Sequence, residues 1–235
     1  MKTTGNTIAA GFWGITIALL IAGAIRAIYF TPVEQTMGPI QKIFYLHLPV
    51  AICTFIACLT SFAASVGYLS QKCRRCDDLA DASAKVAVGL CTIVLATGMI
   101  WGKSAWGSWW TWSPRLTFSL VLWLLYVVYL MIRASIESSN RRGTVAAVYG
   151  VIAFLDVPLV FLSVRLMPDI HPNNIQLEPS MKLTLAICMV PVVLASIGLI
   201  RVAYLINARR NVEQGQGFEP IQRPSMLIAG NGGES

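Results

Sequence analysis

Six long apolar runs separated by short polar segments dominate the chain, near residues 7–30, 42–69, 83–101, 115–135, 144–164 and 182–207. Crossing a hydrocarbon core about 30 Å thick takes about 20 helical residues, and each run approaches or exceeds that length. Helix is the conformation they predict, because in lipid every backbone N–H and C=O must find its partner within its own segment. Pro49, Pro158 and Pro191 fall inside these runs. Each removes one helix hydrogen bond and predicts a kink, which membranes tolerate when neighbouring helices help. The first run, Thr7 to Ala24, exceeds a signal peptide's apolar region and ends without a small-x-small cleavage site, so it predicts a retained helix. Beyond about Asn211 the chain turns polar and contains Gly and Pro. The expected organisation is a membrane domain over 1–210 and a disordered cytoplasmic extension over 211–235.

Charge orients this pattern. Lys2, Lys72, Arg74, Arg75, Lys85, Arg133, Arg141, Arg142, Arg201, Arg209, Arg210 and Arg223 fall at the N-terminus, the second and fourth loops and the tail. Arg26, Lys42, Lys103, Arg115, Arg165 and Lys182 fall at the alternate loops. Twelve against six predicts the first set on the cytoplasmic side. The fold class expected is therefore an all-α integral membrane protein, a six-transmembrane-helix bundle with both termini cytoplasmic. Composition agrees: 56% of the 235 residues are hydrophobic and 12% charged, about half the charge of a soluble domain. The net charge of +7 lacks the distribution of a nucleic-acid footprint and suits anionic headgroups on one side of a lipid bilayer.

Two kinds of residue carry candidate chemistry. Trp106, Trp109, Trp110 and Trp112 place four of the seven tryptophans within seven residues, between the third and fourth runs. A membrane-interface aromatic belt explains such a cluster as well as a ligand platform does. A helical turn there would put Trp106, Trp109 and Trp110 on one face. Ser113-Pro114 predicts the start of the fourth helix, with Ser113 at the N-cap, Pro114 at the first helical position and Arg115 in the first turn. The other residues are the two histidines, His47 and His171. Taken singly, His47 suits a bond to a neighbouring helix and His171 a solvated loop. The orientation places both on the outer face, level with the tryptophans. Heme is the ligand that wants this combination: flat apolar walls, histidine as axial ligand, and a cation for its propionates. Arg115 is placed for the last role, with Lys103 and Arg165 as other candidates.

The segment Trp106-Gly-Ser-Trp-Trp-Thr-Trp-Ser-Pro-Arg-Leu-Thr117 resembles the tryptophan-rich WWD signature of the cytochrome c assembly family of heme-handling membrane proteins. Its Arg-Leu-Thr ending is similar to one branch, the heme-delivery C subunits of System I cytochrome c maturation. The aromatic residues before His47 with Pro49 after it resemble that branch's first external histidine. Asp156-Val-Pro158, then Ser163-Val164, then His171, resembles the approach to its second. The resemblance covers residues 8 to 207. It implies heme b held on the outer face by His47 and His171 as axial ligands, with Trp106, Trp109, Trp110, Trp112 and Arg115 beside it. It implies no enzymatic turnover, but delivery of heme to a membrane-anchored heme chaperone. It implies assembly with ATP-binding cassette subunits and a small single-span subunit in the cell inner membrane, with the heme site facing the periplasm. Two positions depart from the family pattern. Ser113 replaces the signature's aspartate, keeping a capping residue and losing a charge. Leu166-Met167 stands where the family often has tryptophan, so one wall is less aromatic or Met167 contacts the ring.

Other signals carry less. Asp156, the one acid deep in an apolar run, is expected to bond a neighbouring helix or support the site. Cys73-Arg-Arg-Cys76 is half a zinc site without a second half, so a reduced, idle pair is expected. Cys53, Cys58, Cys91 and Cys188 lie in apolar runs as small hydrophobes. Gly98-Met-Ile-Trp-Gly-Lys-Ser104 imitates a phosphate loop but is one residue short and follows an apolar helix rather than a strand. Two other functions stay open: a b-type cytochrome in electron transfer, which would want ligands at two depths, and a small-solute permease, which would want broken helices in repeated halves.

Overall fold

The computed structural model describes residues 2–34, 38–166 and 177–213, with side chains over 7–34, 38–163 and 177–213. It is helical almost throughout. Helix α1 spans Lys2–Ile25 and closes in a π-helical turn, Arg26–Phe30; a 3₁₀ turn, Pro39–Ile43, leads into α2, Phe44–Gln71. Then follow α3 Arg74–Trp106, α4 Pro114–Ser135, α5 Ser139–Ala153, α6 Asp156–Leu166 and α7 Pro179–Glu213. Among the described residues six helical stretches are long and apolar enough to cross a membrane, α5 and α6 together forming the fifth.

The third span differs from its expected limits. It begins at Arg74, not near 83. Its first turns carry Asp77, Asp78, Asp81 and Lys85, which read as loop by hydropathy. In the structure the three acids are buried because other helices supply their partners. Arg133 of α4 forms a fork on Asp77 (2.6 and 3.0 Å) and reaches Asp81 through Nε at 3.1 Å. Lys85 donates to Asp81 at 2.6 Å and to Asn207 of α7 at 2.9 Å. Asn211 donates to Asp78 at 2.5 Å, and Arg74 donates to Asn211 at 2.6 Å. Buried charges persist when each is paired and hydrogen-bonded. This network ties α3, α4 and α7 together at one end of the bundle.

The prolines also act differently from one another. Helices α2 and α7 run through Pro49 and Pro191 unbroken. The fifth span breaks at residues 154–155. Pro158 has no N–H to offer the Phe154 carbonyl, which instead accepts the Val157 N–H at 3.0 Å.

Small residues set the packing. Ala57, Cys58, Ala84, Ala87, Ala146 and Ala153 let α2, α3 and α5 approach closely around Tyr126 and Tyr129 of α4. The Tyr126 hydroxyl donates to the Cys58 carbonyl at 3.2 Å. Helices α2 and α3 form an antiparallel hairpin. Ser61 donates to the Ala80 carbonyl at 3.1 Å, and His47 meets Thr97 at 2.8 Å. The hairpin therefore brings the start of α2 to the end of α3, at the bundle end opposite the Arg133 network. The imitation phosphate loop lies inside α3 and offers no loop at all.

Candidate functional site

Three helix ends and α6 meet around His47. On α2, Phe44, His47, Leu48, Ala51 and Phe55 recur at helical spacing and share one face. On α3, Val94, Gly98 and Trp101 do the same. Helix α4 starts at Pro114 with Ser113 at its N-cap, so Arg115 and Ser119, one turn apart, turn toward the same space. Phe161 of α6 closes a side. These residues enclose two adjoining cavities of about 180 and 60 Å³, both lined by His47, Trp101, Arg115 and Ser119. Both are smaller than the several hundred cubic ångströms of an ordinary enclosed ligand pocket. What they offer is a partly open cleft with apolar walls.

The tryptophans divide. Helix α3 stops at Trp106 because Gly107 takes a left-handed conformation (φ 76°), which costs a non-glycine residue about 1–2 kcal/mol. The helical turn that would have aligned Trp106, Trp109 and Trp110 is absent. Trp106 and Trp110 line the smaller cavity. Trp109 and Trp112 face outward, 58% and 75% exposed. The indoles still touch in pairs: Trp101 with Trp106 at 5.3 Å, and Trp110 with Trp112 edge-on at 5.8 Å between ring centroids. Lys103 donates to the Gly107 carbonyl at 2.9 Å and so serves the end of α3.

His47 is half-buried and bonded through Nδ1 to Thr97 Oγ1 at 2.8 Å. A Cβ on Gly98 would lie 3.4 Å from His47 Cε1, so the imidazole rests against α3 where that helix has no side chain. Three polar atoms of the tryptophan segment are buried without a partner among the described residues: Trp110 Nε1, Thr111 Oγ1 and Ser113 Oγ. Buried donors and hydroxyls without partners are uncommon in native proteins and mark places where a ligand or water completes the set. The Ser113 hydroxyl makes no capping bond; its carbonyl instead accepts from the Thr117 N–H and hydroxyl, both at 2.9 Å. Asp156 is buried at the break before α6, and its Oδ2 has no hydrogen-bond partner, so the expected bond to a neighbouring helix is not made through that oxygen. His171 and Met167 lie outside the described residues, as does the side chain of Arg165.

A larger cavity, about 660 Å³, sits at the opposite end beside the Arg133 network. Its acids and bases largely bond one another, and among the described residues no three metal-ligating side chains gather. The His47 cleft instead gathers the sequence candidates His47, Trp106, Trp110 and Arg115. Thr97 and Phe161 were not singled out from the sequence, and Gly98 and Trp101 appeared there only within the imitation phosphate loop. Thr97 and Trp101 stand one helical turn apart, in a run where both pass for membrane-facing residues.

The fold defines a polytopic helical membrane protein, with a partly open apolar cleft at one end of its bundle. The chain matches the family model described as heme exporter protein C over residues 1–219 and belongs to that family. It is similar to heme exporter protein C of Rhodobacter capsulatus, 31% identical over 150 residues, covering 63% of this chain and 61% of that protein. The corresponding Escherichia coli protein is 30% identical over 166 residues, covering 70% and 67%. That of Haemophilus influenzae is 28% identical over 187 residues, covering 79% and 76%. The match thus spans about three fifths of the Rhodobacter protein's length.

Proposed function

We propose that this protein carries heme as cargo at the His47 end of the bundle and delivers it for cytochrome c maturation. The observation that supports this most is the composition of one cleft, where an imidazole, a guanidinium and three indoles meet apolar walls. Family membership points the same way. His47 is one axial ligand in this reading and His171 the other. Arg115 meets a propionate through charge-assisted hydrogen bonds. Trp101, Trp106 and Trp110 lie against the porphyrin, and Trp110 Nε1, Thr111 and Ser113 supply polar contacts.

The small volume of the cleft fits a cargo that is presented rather than stored. Much of a porphyrin placed there would remain open to lipid or to a receiving protein. The outward indoles Trp109 and Trp112 provide a contact for that receiver, a membrane-anchored heme chaperone. The carried species is heme b, with no turnover chemistry in this chain. ATP-binding cassette subunits and a small single-span subunit complete the assembly. In this reading the protein sits in the inner membrane with both termini cytoplasmic and the His47 end facing the periplasm, which the distribution of Lys and Arg supports.

Absorption spectroscopy of the purified protein tests the ligand assignment. Reconstitution with hemin gives a low-spin bis-histidine spectrum in the parent protein. His47→Ala and His171→Ala each abolish that spectrum or convert it to a five-coordinate one. An unchanged spectrum in the double variant refutes the reading.

A further inference from the structure

The bond between His47 and Thr97 has a direction that proton counting determines. A threonine hydroxyl carries one proton. Thr97 Oγ1 lies 2.7 Å from the Ile93 carbonyl oxygen and 3.2 Å from that of Val94. Two oxygens 2.7 Å apart require a proton between them, since that is the length of an O–H···O bond. The carbonyl has none, so the threonine proton is committed to Ile93. Thr97 Oγ1 can then only accept from His47 at 2.8 Å, and the donor is the Nδ1–H. In a neutral imidazole that leaves Nε2 without a proton and with its lone pair available. None of the described residues hydrogen-bonds Nε2.

We infer that Thr97 is a positioning residue for the heme site: it fixes His47 as the Nδ1–H tautomer, so that Nε2 is the atom presented to iron. The inference rests on the heme reading for its purpose and on the hydrogen bonds alone for its tautomer. Thr97 does not touch iron. It sets which nitrogen binds and holds the ring, together with Gly98, which gives the ring edge a flat seat on α3. A ligand histidine that donates its other N–H to an oxygen is also a stronger electron donor to the metal. Only two histidines exist in the chain, so nothing else obscures the test.

Two measurements on the full-length protein in detergent separate the tautomer from the heme reading. The first uses heme-free protein labelled with ¹⁵N-histidine, carrying His171→Ala so that His47 alone is observed. Above neutral pH, the ring nitrogen shifts are expected to show Nδ1 protonated and Nε2 bare. The opposite pattern overturns the inference without reference to heme. The second is a hemin titration with spectral and potentiometric readouts on Thr97→Ser, Thr97→Val and His47→Ala. Thr97→Ser keeps the acceptor and binds like the parent. Thr97→Val keeps the volume but not the acceptor, and is expected to weaken binding by about 10–100-fold and to raise the heme reduction potential. Parent-like affinity and potential in Thr97→Val refute the role of Thr97. Parent-like binding in His47→Ala refutes the ligand assignment instead. If Thr97→Val does not accumulate as folded protein, the ¹⁵N shifts still decide the tautomer.

Discussion

Replacing Arg133 by Met isolates what the charged network contributes. The guanidinium makes three short contacts, two to Asp77 at 2.6 and 3.0 Å and one to Asp81 at 3.1 Å. Asp81 keeps Lys85 at 2.6 Å after the change. Among the described residues Arg133 is the one ion-pair partner of Asp77, whose side chain is 3% exposed. The variant therefore strands one buried carboxylate. Breaking a buried pair from one side costs about 3–5 kcal/mol, which for a chain of this size lowers the unfolding midpoint by about 6–20 °C. Cys53, Cys58, Cys91 and Cys188 are buried and free, so a thiol-reactive fluorogenic dye reports unfolding on heating in detergent. Cys73→Ser and Cys76→Ser in the background remove the accessible thiols. Adding Asp77→Asn to Arg133→Met removes the stranded charge and recovers most of the loss. A midpoint shift under about 2 °C, less than 1 kcal/mol on that scale, refutes the reasoning. So does a double variant no more stable than Arg133→Met.

Three further outcomes follow from the structure. Cys73 lies at the N-terminus of α3, with its thiol held below the ordinary range chiefly by the hydrogen bond from the Cys76 thiol. A membrane-impermeant maleimide should label it from the cytoplasmic side only, and Cys76→Ala should slow labelling at neutral pH as the Cys73 thiol moves back up; labelling from the outer side overturns the orientation. Trp110→Leu should weaken hemin binding by about tenfold, the ~1.5 kcal/mol ceiling of an aromatic contact, whereas Trp112→Leu should leave affinity unchanged and slow transfer to the chaperone in a two-protein heme-exchange assay. Gly107→Val should cost about 1–2 kcal/mol from its left-handed backbone, read as a lowered midpoint together with weaker hemin binding, because the same turn sets Trp106 and Trp110.

Hydropathy made the six spans legible because lipid leaves a chain few ways to satisfy its backbone. The start of α4 was equally plain, since Pro114 can occupy a first helical turn but not its middle. What escaped was whatever depended on a partner from another helix. Asp77, Asp78 and Asp81 look like a loop until Arg133, Lys85, Asn207 and Asn211 are beside them. Thr97 looks like any membrane threonine bonded to its own helix until the α2–α3 hairpin delivers His47. The tryptophan segment was visible by density, but a single glycine redirected the chain and split four apparent equals into two that face the cleft and two that face away.

The placement of sulfur bears on the proposed traffic. Cytochromes c keep their heme by adding its vinyl groups to cysteine thiols, so any carrier with a nucleophilic sulfur beside the porphyrin would compete with the intended recipient. None of the six cysteines lines either cavity at His47. Four are enclosed by other helices, and the remaining two sit at the start of α3, the whole length of that helix away. In the proposed reading, the cleft lining holds no thiol that would compete with the recipient for the vinyl groups.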